Sequence, residues 1–576
     1  MDSYKRPAKS WSIQQFHNYV VNHSPNSTNF LMMASPQVLI VGAGPVGLVA
    51  ALALLRNGLS VRVIEKASAP HIGQRGSGNF PRTLEVYHFL GVPEIDREAI
   101  AVPLIHTHAA GSLEVLKELP MTPRYEPTPA IPFISPKVIG QNNVERILSS
   151  HIQKLGCTVE YGAELRSFEQ DEEGVVAQIV IRDGDKETTS TIRSQFLIGA
   201  DGARGVVRKQ LGLTFLGETR DTIRVVTGDI RFKCSGLSRT CFEIFNYDAG
   251  DVVILRPTDE IKGGDGWQLI TLGARFGVDT LLSDKEALYS AIRETLNSPV
   301  DFLELVWISE FRPNIRMVDH FGQGRVFVAG DAAHVHPPTG GQGLNSGVQD
   351  AFNLAWKIAL VAKGISPLSF LDSYTAERLP VIAQMLNITT TLLDKTFGPK
   401  RGTIESAMER GRILFMLGVN YRTSPIVLDE FSAGIPPVPA YQLDRSDELV
   451  AGDRAPDAPG LVEGSATVRL FDIFKPTHHT ALVFAPDVQV AAEMIVKSFE
   501  TYSAFARPVV ILPASASSGS PIPSARVVID KENYGRTHYL IKDEPRIIIV
   551  RPDGVVGAIV AGPLGVHKYF GLIQGH

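Results

Sequence analysis

The run Val38-Leu39-Ile40-Val41, ending at Gly42-Ala43-Gly44-Pro45-Val46-Gly47, constrains the fold more than any other part of this chain. Four apolar residues read as a short buried strand, and the small-residue stretch Val46 to Leu55 reads as a buried helix closed by Gly58 at an αL cap. A second strand, Ser60–Ile64, ends at Glu65 and Lys66. Strand, glycine turn, helix and a following acid at this spacing form the dinucleotide-binding fingerprint. Gly42 permits the tight turn, Gly44 lets backbone approach a pyrophosphate, and Gly47 lets helix pack on strand. The helix start at Pro45-Val46 presents free N–H groups and the positive dipole end to phosphates. The Glu65 carboxylate can accept hydrogen bonds from the hydroxyls of an unphosphorylated adenosine ribose.

From Gln37 onward, strand-like and helical patterns alternate, so the expected class is α/β with a Rossmann-type nucleotide-binding domain. Residues 37–100, 137–213 and 319–400 read as its three pieces. Residues 101–136 and 214–318 read as an inserted antiparallel-sheet domain that binds substrate, on segments such as Val252–Leu255 and Trp267–Leu272. Residues 372–420 read as helical, 401–449 as a helical segment and linker ending in a proline-rich run, and 450–576 as a last domain. Residues 1–36 read as a mobile N-terminal extension, with a weak organelle-targeting segment as the alternative.

Composition excludes several classes. With 56 Lys+Arg against 61 Asp+Glu, the net charge of −5 offers no basic field for nucleic acid. No run of about 18 apolar residues exists, so no membrane span is expected. Three cysteines (Cys157, Cys234, Cys241) are too few for a disulfide framework, which suits a reducing, cytoplasmic setting. One fingerprint in the chain disfavours enzymes that need two separate dinucleotide domains.

Two further motifs narrow the field. A strand near Ser194–Ile198 leads into Gly199-Ala200-Asp201-Gly202-Ala203-Arg204 and a helix. Later, Gly324-Arg325-Val326-Phe327-Val328-Ala329-Gly330-Asp331 reads as a strand ending in an acid. The turn His336-Pro337-Pro338-Thr339-Gly340-Gly341-Gln342-Gly343-Leu344-Asn345 then opens a helix. His334 and His336 can be read as metal ligands, but no matching carboxylate or histidine constellation surrounds them, and no metal is expected. With Pro81-Arg82-Thr83-Leu84-Glu85, Gln141, and Tyr374 with Glu377-Arg378, these motifs resemble the group A flavoprotein aromatic hydroxylases, relatives of para-hydroxybenzoate hydroxylase and phenol hydroxylase. The resemblance runs from residue 37 to the end.

It implies FAD as cofactor, NAD(P)H as co-substrate and O2 as oxidant, the oxygen passing through a flavin C4a-hydroperoxide to an aromatic ring. It implies that Asp331 bonds the ribityl chain, that Arg75 and Gln141 touch the ribityl-phosphate region, and that Asp201 lies near the pyrophosphate. The backbone at Pro338 would line the substrate side of the flavin. A helix starting at Gly343-Leu344-Asn345 would stabilise negative charge on reduced flavin by roughly 0.3–2 kcal/mol. Residues 450–576 resemble the thioredoxin-like third domain of phenol hydroxylase relatives. With no cysteine after Cys241 this domain would be redox-inert, a scaffold or a homodimer contact, and a cis Glu544–Pro545 bond is expected.

The chain also departs from the pattern. Where phenol hydroxylase-like members commonly carry an Asp before the Pro81-Arg82 motif, this sequence has Ser77. His106, His108 and Tyr247 are candidates for a general base by polarity alone, and each reads equally as structural. The sheet should offer Phe242, Ile244, Phe245 and Ile254 to a ring, with Arg224, Arg231, Arg239 and Arg256 mostly turned outward. The expected substrate is therefore a phenolic or polyketide-like aromatic of secondary metabolism, rather than a benzoate. Epoxidation or dehydrogenation of a non-aromatic molecule, or silent flavin binding, are the rival readings.

Overall fold

The computed structural model describes residues 35–576 apart from 185, 222, 248–250, 262, 274, 276, 338–339, 398–410, 445–446, 517–521 and 543. At its centre the strand Val38–Val41 pairs in parallel with Val61–Glu65 on one side and Phe196–Gly199 on the other. Val159–Tyr161 and Val326–Val328 extend this sheet in parallel, and Gly322–Gln323 closes one edge antiparallel. Every residue of Val38–Val41 and of Phe196–Gly199 is buried. Unbroken apolar runs are what a parallel sheet covered on both faces requires. The helix Pro45–Arg56 packs beside the long helix Gly343–Ala362, whose residues from Asn345 to Leu360 are all buried.

A seven-stranded sheet joins two distant stretches of chain. Its order is Asp301–Phe311, Val225–Lys233, Gly266–Leu272, Val252–Thr258, Cys241–Asn246, Leu104–Ala109, Lys117–Pro120. It is antiparallel except where Leu104–Ala109 runs parallel to Cys241–Asn246. Alternation gives it two different faces. One, with Phe232, Phe245, Leu255 and Trp267, is covered by the helices Val278–Ser283 and Lys285–Leu296. The other carries Ile105, Phe242, Ile244, Val252 and Ile254.

The helix expected over 372–420 runs as Asp372–Phe397. Past the undescribed residues, 411–420 hold the 3-10 turn Arg412–Phe415 and the short strand Gly418–Val419 instead of the expected helix. Met416 takes a left-handed φ of +64°, which ends the turn, and Gly418–Val419 pairs with Tyr441–Gln442. The final stretch builds an eight-stranded mixed sheet whose main strands are His479–Phe484, Ala506–Pro513, Arg526–Asp530, Arg546–Val550 and Val556–Val560. The last two form the hairpin expected across Arg551–Gly554. No described peptide bond is cis, so Glu544–Pro545 is trans, the ordinary preference even before proline.

A buried ionic cluster ties this last sheet to the two long helices. The Glu377 carboxylate accepts from Lys357 Nζ at 2.7 Å, from Arg551 at 2.6 and 2.9 Å, from Asn353 at 2.7 Å and from Ser424 at 2.7 Å. Arg551 also binds Asp553 at 2.6 Å. Two cations face two anions away from water. Burial pushes the Glu377 carboxyl pKa up, but Arg551 and Lys357 outweigh it and hold it well below the carboxylate range. Arg82 adds a strut, donating to the Asp553 carbonyl at 2.8 Å and to Glu85 at 2.6 Å, while Glu85 accepts from Arg454. Replacing Glu377 by Gln leaves two buried cations opposite one anion. It should cost about 3–5 kcal/mol in a denaturant-unfolding midpoint, far more than an exposed pair would.

Candidate cofactor and substrate site

The glycine turn has no spare room on its protein side. Gly42 has φ +106°, and a Cβ there would lie 2.2 Å from the Ala200 carbonyl oxygen; one on Gly47 would lie 2.0 Å from the Gly42 oxygen. A Cβ on Gly44 would meet nothing within 4 Å. The turn is therefore wedged against the Asp201 loop from behind and open in front, at the start of a helix with no side-chain cap. Glu65 is buried at the end of its strand, and its carboxylate accepts from the N–H groups of Ala43 and Ala67, each at 2.9 Å. It thereby orients the turn, with two carboxylate oxygens whose other lone pairs remain for a ribose. Lys66 beside it is exposed.

Asp201 Oδ2 accepts from Val206 N at 2.6 Å and Val207 N at 3.1 Å, starting the helix Val206–Gln210. Its Oδ1 is buried without a partner, and loss of water pushes its carboxyl pKa up. Asp331 sits in a 3-10 turn, Gly330–Ala332, after Val326–Val328. The residue is exposed, yet the protein packed around its carboxylate removes enough water to disfavour its charge. That setting raises its carboxyl pKa, opposed by His334.

Beneath Asp331 lies a network that sequence reading missed. Asp350 Oδ2 accepts from Gly330 N at 3.0 Å and meets His334 Nε2 at 2.6 Å, while Oδ1 accepts from Arg378 Nε at 2.7 Å. Burial opposes ionisation, yet Arg378 and His334 prevail and hold the Asp350 pKa down at about 2. A permanently charged carboxylate thus holds the peptide that presents Asp331. The sequence signals were the Glu377-Arg378 pair, already part of the family resemblance, and Asp350 as a charge on a helix otherwise rich in apolar residues.

The helix Gly343–Ala362 makes its first bond from Ser346 N to Gln342 O at 2.8 Å, so among the described residues the N–H groups of Gly343, Leu344 and Asn345 have no intrahelical partner. The Asn345 side chain is spent on scaffolding: it donates to Gly78 O and Gly341 O and accepts from Phe80 N. His336 is pressed under Gly343, and burial lowers its pKa to about 4. Pro338, the residue expected on the substrate side, lies outside the described residues.

Gln141 and Arg75 sit on one loop system, joined by Gln141 N to Gln74 O at 3.0 Å. The Gln141 amide donates to Glu145 at 2.8 Å, and Arg75 is exposed, its guanidinium 5.7 Å from the Trp307 ring centre. Gln74 plugs this loop into the seven-stranded sheet: it bonds Asp229 through its backbone and side chain and accepts from Thr258 and Arg256. Strand register places Asp229, Gln268 and Arg256 on the face that carries Ile244 and Ile254. That apolar face is therefore the one turned to the cofactor loop.

One expectation fails here, and a second holds with one exception. Phe245 faces the other way, stacked on His108 at 4.6 Å in the helix-covered core, because it alternates with Phe242 and Ile244. Arg256 is not turned outward; it is 1% exposed, held by Gln268 at 2.9 Å and by Gln74, with its NH1 lacking a partner. Arg224, Arg231 and Arg239 do reach outward to Asp279, Asp265 and Asp259. His106, His108 and Tyr247, the polar candidates for a base, lie on the helix-covered side or its margin. A groove of about 590 Å³ on that side, lined by Phe232, Cys234 and Arg239 among others, includes none of the nucleotide-site residues. Chemistry, rather than concavity, locates the site.

The open space before Gly44, the unpartnered Asp201 oxygen and the solvent-open Asp331 fit an extended dinucleotide lying along one edge of the parallel sheet. Comparison with known proteins agrees. Residues 35–389 match the family described as FAD binding domain. A flavin-dependent monooxygenase of Mycobacteroides abscessus is 34% identical over 499 residues, covering 86% of this chain and 98% of that protein. Pentachlorophenol 4-monooxygenase of Sphingobium chlorophenolicum is 29% identical over 544 residues, 91% of this chain and 94% of its own. In three dimensions, the flavin-dependent monooxygenase PieE, solved with FAD and substrate, superposes with a TM-score of 0.76 at 23% identity, covering 93% of this chain and 98% of its own.

Two variants separate fold from ligand. Gly44→Ala meets no neighbour and keeps a φ of −69°, so it should fold normally yet bind FAD at least about tenfold more weakly, measured by flavin titration of the stripped protein. Asp331→Ala, at a solvent-open position, should leave the circular dichroism spectrum intact and lose flavin absorbance on purification; full flavin retention would remove Asp331 from the site.

Proposed function

The chain belongs to the FAD-binding-domain family of group A aromatic hydroxylases and is an FAD-dependent monooxygenase, and from that premise we propose that it hydroxylates a phenolic or polyketide-like aromatic molecule using NAD(P)H and O2. The observation that carries the substrate class is the face of the seven-stranded sheet turned to the cofactor loop. Ile105, Phe242, Ile244, Val252 and Ile254 make it apolar, while three of the four arginines considered are engaged elsewhere by carboxylates. Such a wall desolvates a flat ring, and burying a second, unmatched charge there would be costly.

In this reading the Gly42–Gly47 turn, with Pro45 and Val46 opening the helix, holds the pyrophosphate, and Glu65 with Lys66 takes the adenosine end. Asp331 bonds the ribityl chain, Arg75 and Gln141 flank the ribityl-phosphate region, and Asp201 stands beside the pyrophosphate. Bound FAD supplies the redox chemistry, accepting a hydride equivalent from NAD(P)H and activating O2. The protein's own part is to orient the ring and exclude water. The N-terminus of the helix Gly343–Ala362 would favour negative charge on the reduced cofactor through its dipole, and Pro338 is the residue proposed for the substrate side.

The C-terminal sheet supports a thioredoxin-like scaffold. Ala506–Pro513 and His479–Phe484 are parallel, Arg546–Val550 and Val556–Val560 follow antiparallel, and Val488–Phe499 and Pro563–Gln574 are its helices. No cysteine follows Cys241, so thiol exchange has no part in it.

A second reading has one observation behind it. The unpartnered Arg256 NH1 on the cofactor-facing side is a ready partner for a carboxylate. Matched phenols and benzoates compared at one pH decide between the two. Substrate-stimulated NAD(P)H oxidation with hydroxylated product by mass spectrometry is expected for the phenols; stimulation and product with the carboxylates alone would transfer the assignment to the benzoates.

A further inference from the structure

On the opposite side of the seven-stranded sheet, the structure assigns a binding site for one divalent transition-metal ion of the zinc class to His106, His108 and Glu243. His106 and His108 are two apart on one strand and so point to the same face. The adjacent parallel strand sets Glu243 directly beside His106. A donor atom of each of the three lies within 4.8 Å of the other two. Glu243 Oε2 is 2.6 Å from His108 Nε2, and Glu243 Oε1 is 3.4 Å from His106 Nδ1. His108 and Glu243 have side chains only 1% exposed, while His106 is 15% exposed and gives the site its outer wall.

The hydrogen bonds around the cluster show what it lacks. His108 Nδ1 lies 2.9 Å from the Glu114 carbonyl oxygen, which can only accept, so the Nδ1 hydrogen is committed there. Its Nε2 then presents a lone pair to a carboxylate oxygen that also carries lone pairs. At 2.6 Å only a proton fits between them; a metal ion bonded to both would take its place with the two atoms parting to about 3.3 Å, the separation of two ligands about 2 Å from a tetrahedral ion. Glu243 Oε1 accepts from Ser238 N at 2.8 Å, which fixes the carboxylate from outside. A histidine whose far nitrogen bonds a carbonyl, beside a carboxylate held by a backbone N–H, is the outer-shell arrangement that orients metal ligands. Two imidazoles and one carboxylate suit Zn²⁺, with water as the fourth ligand, better than Ca²⁺ or Mg²⁺, which prefer oxygen. The other ring nitrogen of His106, Nε2, lies 3.0 Å from Glu118 Oε2, which orients the imidazole with Nδ1 toward Glu243.

Binding is an exchange in which the metal ion enters, the proton between His108 and Glu243 leaves to solvent, and no redox change occurs. The consequence is mechanical. The ion would pin Leu104–Ala109 to Cys241–Asn246, two strands that arrive from separate stretches of chain. Ile105, Phe242 and Ile244 on the reverse side of these same strands form part of the apolar wall described above. The ion is a positioning device for that wall and lies on the far side of the sheet from the cofactor loop.

The test uses the FAD-loaded full chain, freed of metal with a chelator and titrated with Zn²⁺ by calorimetry, with bound metal counted by elemental analysis. One equivalent per chain is expected, with a proton released on binding, and with affinity reduced at least about tenfold in His106→Gln and in His108→Gln. His106→Gln is the safer variant because His106 is partly exposed; both are scored only at unchanged flavin content and circular dichroism. Less than half an equivalent of zinc in the wild type, or zinc binding unchanged by His108→Gln, would overturn the assignment. Neither outcome touches the flavin reading, because flavin content is measured independently in the same samples.

Discussion

Val46 touches Gly330 and Gly347, and the nucleotide-binding half of the molecule depends on that contact. A methyl group on Gly330 would lie 2.8 Å from Val46 Cγ2, and one on Gly347 would lie 2.6 Å from it and 3.0 Å from the Gly330 Cα. Two neighbouring segments meet a third that lies far earlier in the chain, with no room for a methyl group. The glycine turn, the peptide before Asp331 and the first turns of the long helix are thereby locked in one frame. Close packing of this kind transmits position, since a core has little slack to absorb displacement.

The locks around that frame are electrostatic. Asp350 carries its charge permanently because Arg378 and His334 answer it, and that charge holds the Gly330 N–H. One turn or so further along the same helix, Lys357 and Asn353 engage Glu377, which in turn receives Arg551 from the C-terminal sheet. The long helix thus carries the cofactor-side network at one end and the C-terminal clamp further along. Buried charges of this sort are poor sources of net stability, but each is costly to leave unmatched. They make the alternatives to this arrangement expensive, which is a reason to expect the scaffold to hold its geometry through a redox cycle.

The seven-stranded sheet works by having two faces. Its helix-covered side holds aromatic stacking and the His106–His108–Glu243 cluster, and its other side offers aliphatic surface to the cofactor loop. Gln74 couples its loop to this sheet, its side chain spanning Asp229, Thr258 and Arg256. The glycines and the exposed Arg75 around it are secondary to that plug.

Much of this was legible in the amino-acid order, and for a common reason. The glycine turn, the acid ending the second strand and the acid after Val328 depend on local backbone geometry: a positive φ at Gly42, a helix start, a strand end. Strand alternation likewise placed three of the four expected apolar residues on one face of the seven-stranded sheet. What escaped was decided by partners distant in sequence. Phe245 was misassigned because the face that is covered depends on helices some 35 to 50 residues later. Arg256 is the exception among four arginines expected mostly to face outward, and it is buried where Gln74 and Gln268 meet it. Asp350 under Gly330, and His106 beside Glu243, are pairings of register and packing across the fold. Hydrogen-bond geometry and desolvation, which set what those side chains can do, exist only once the chain has brought them together.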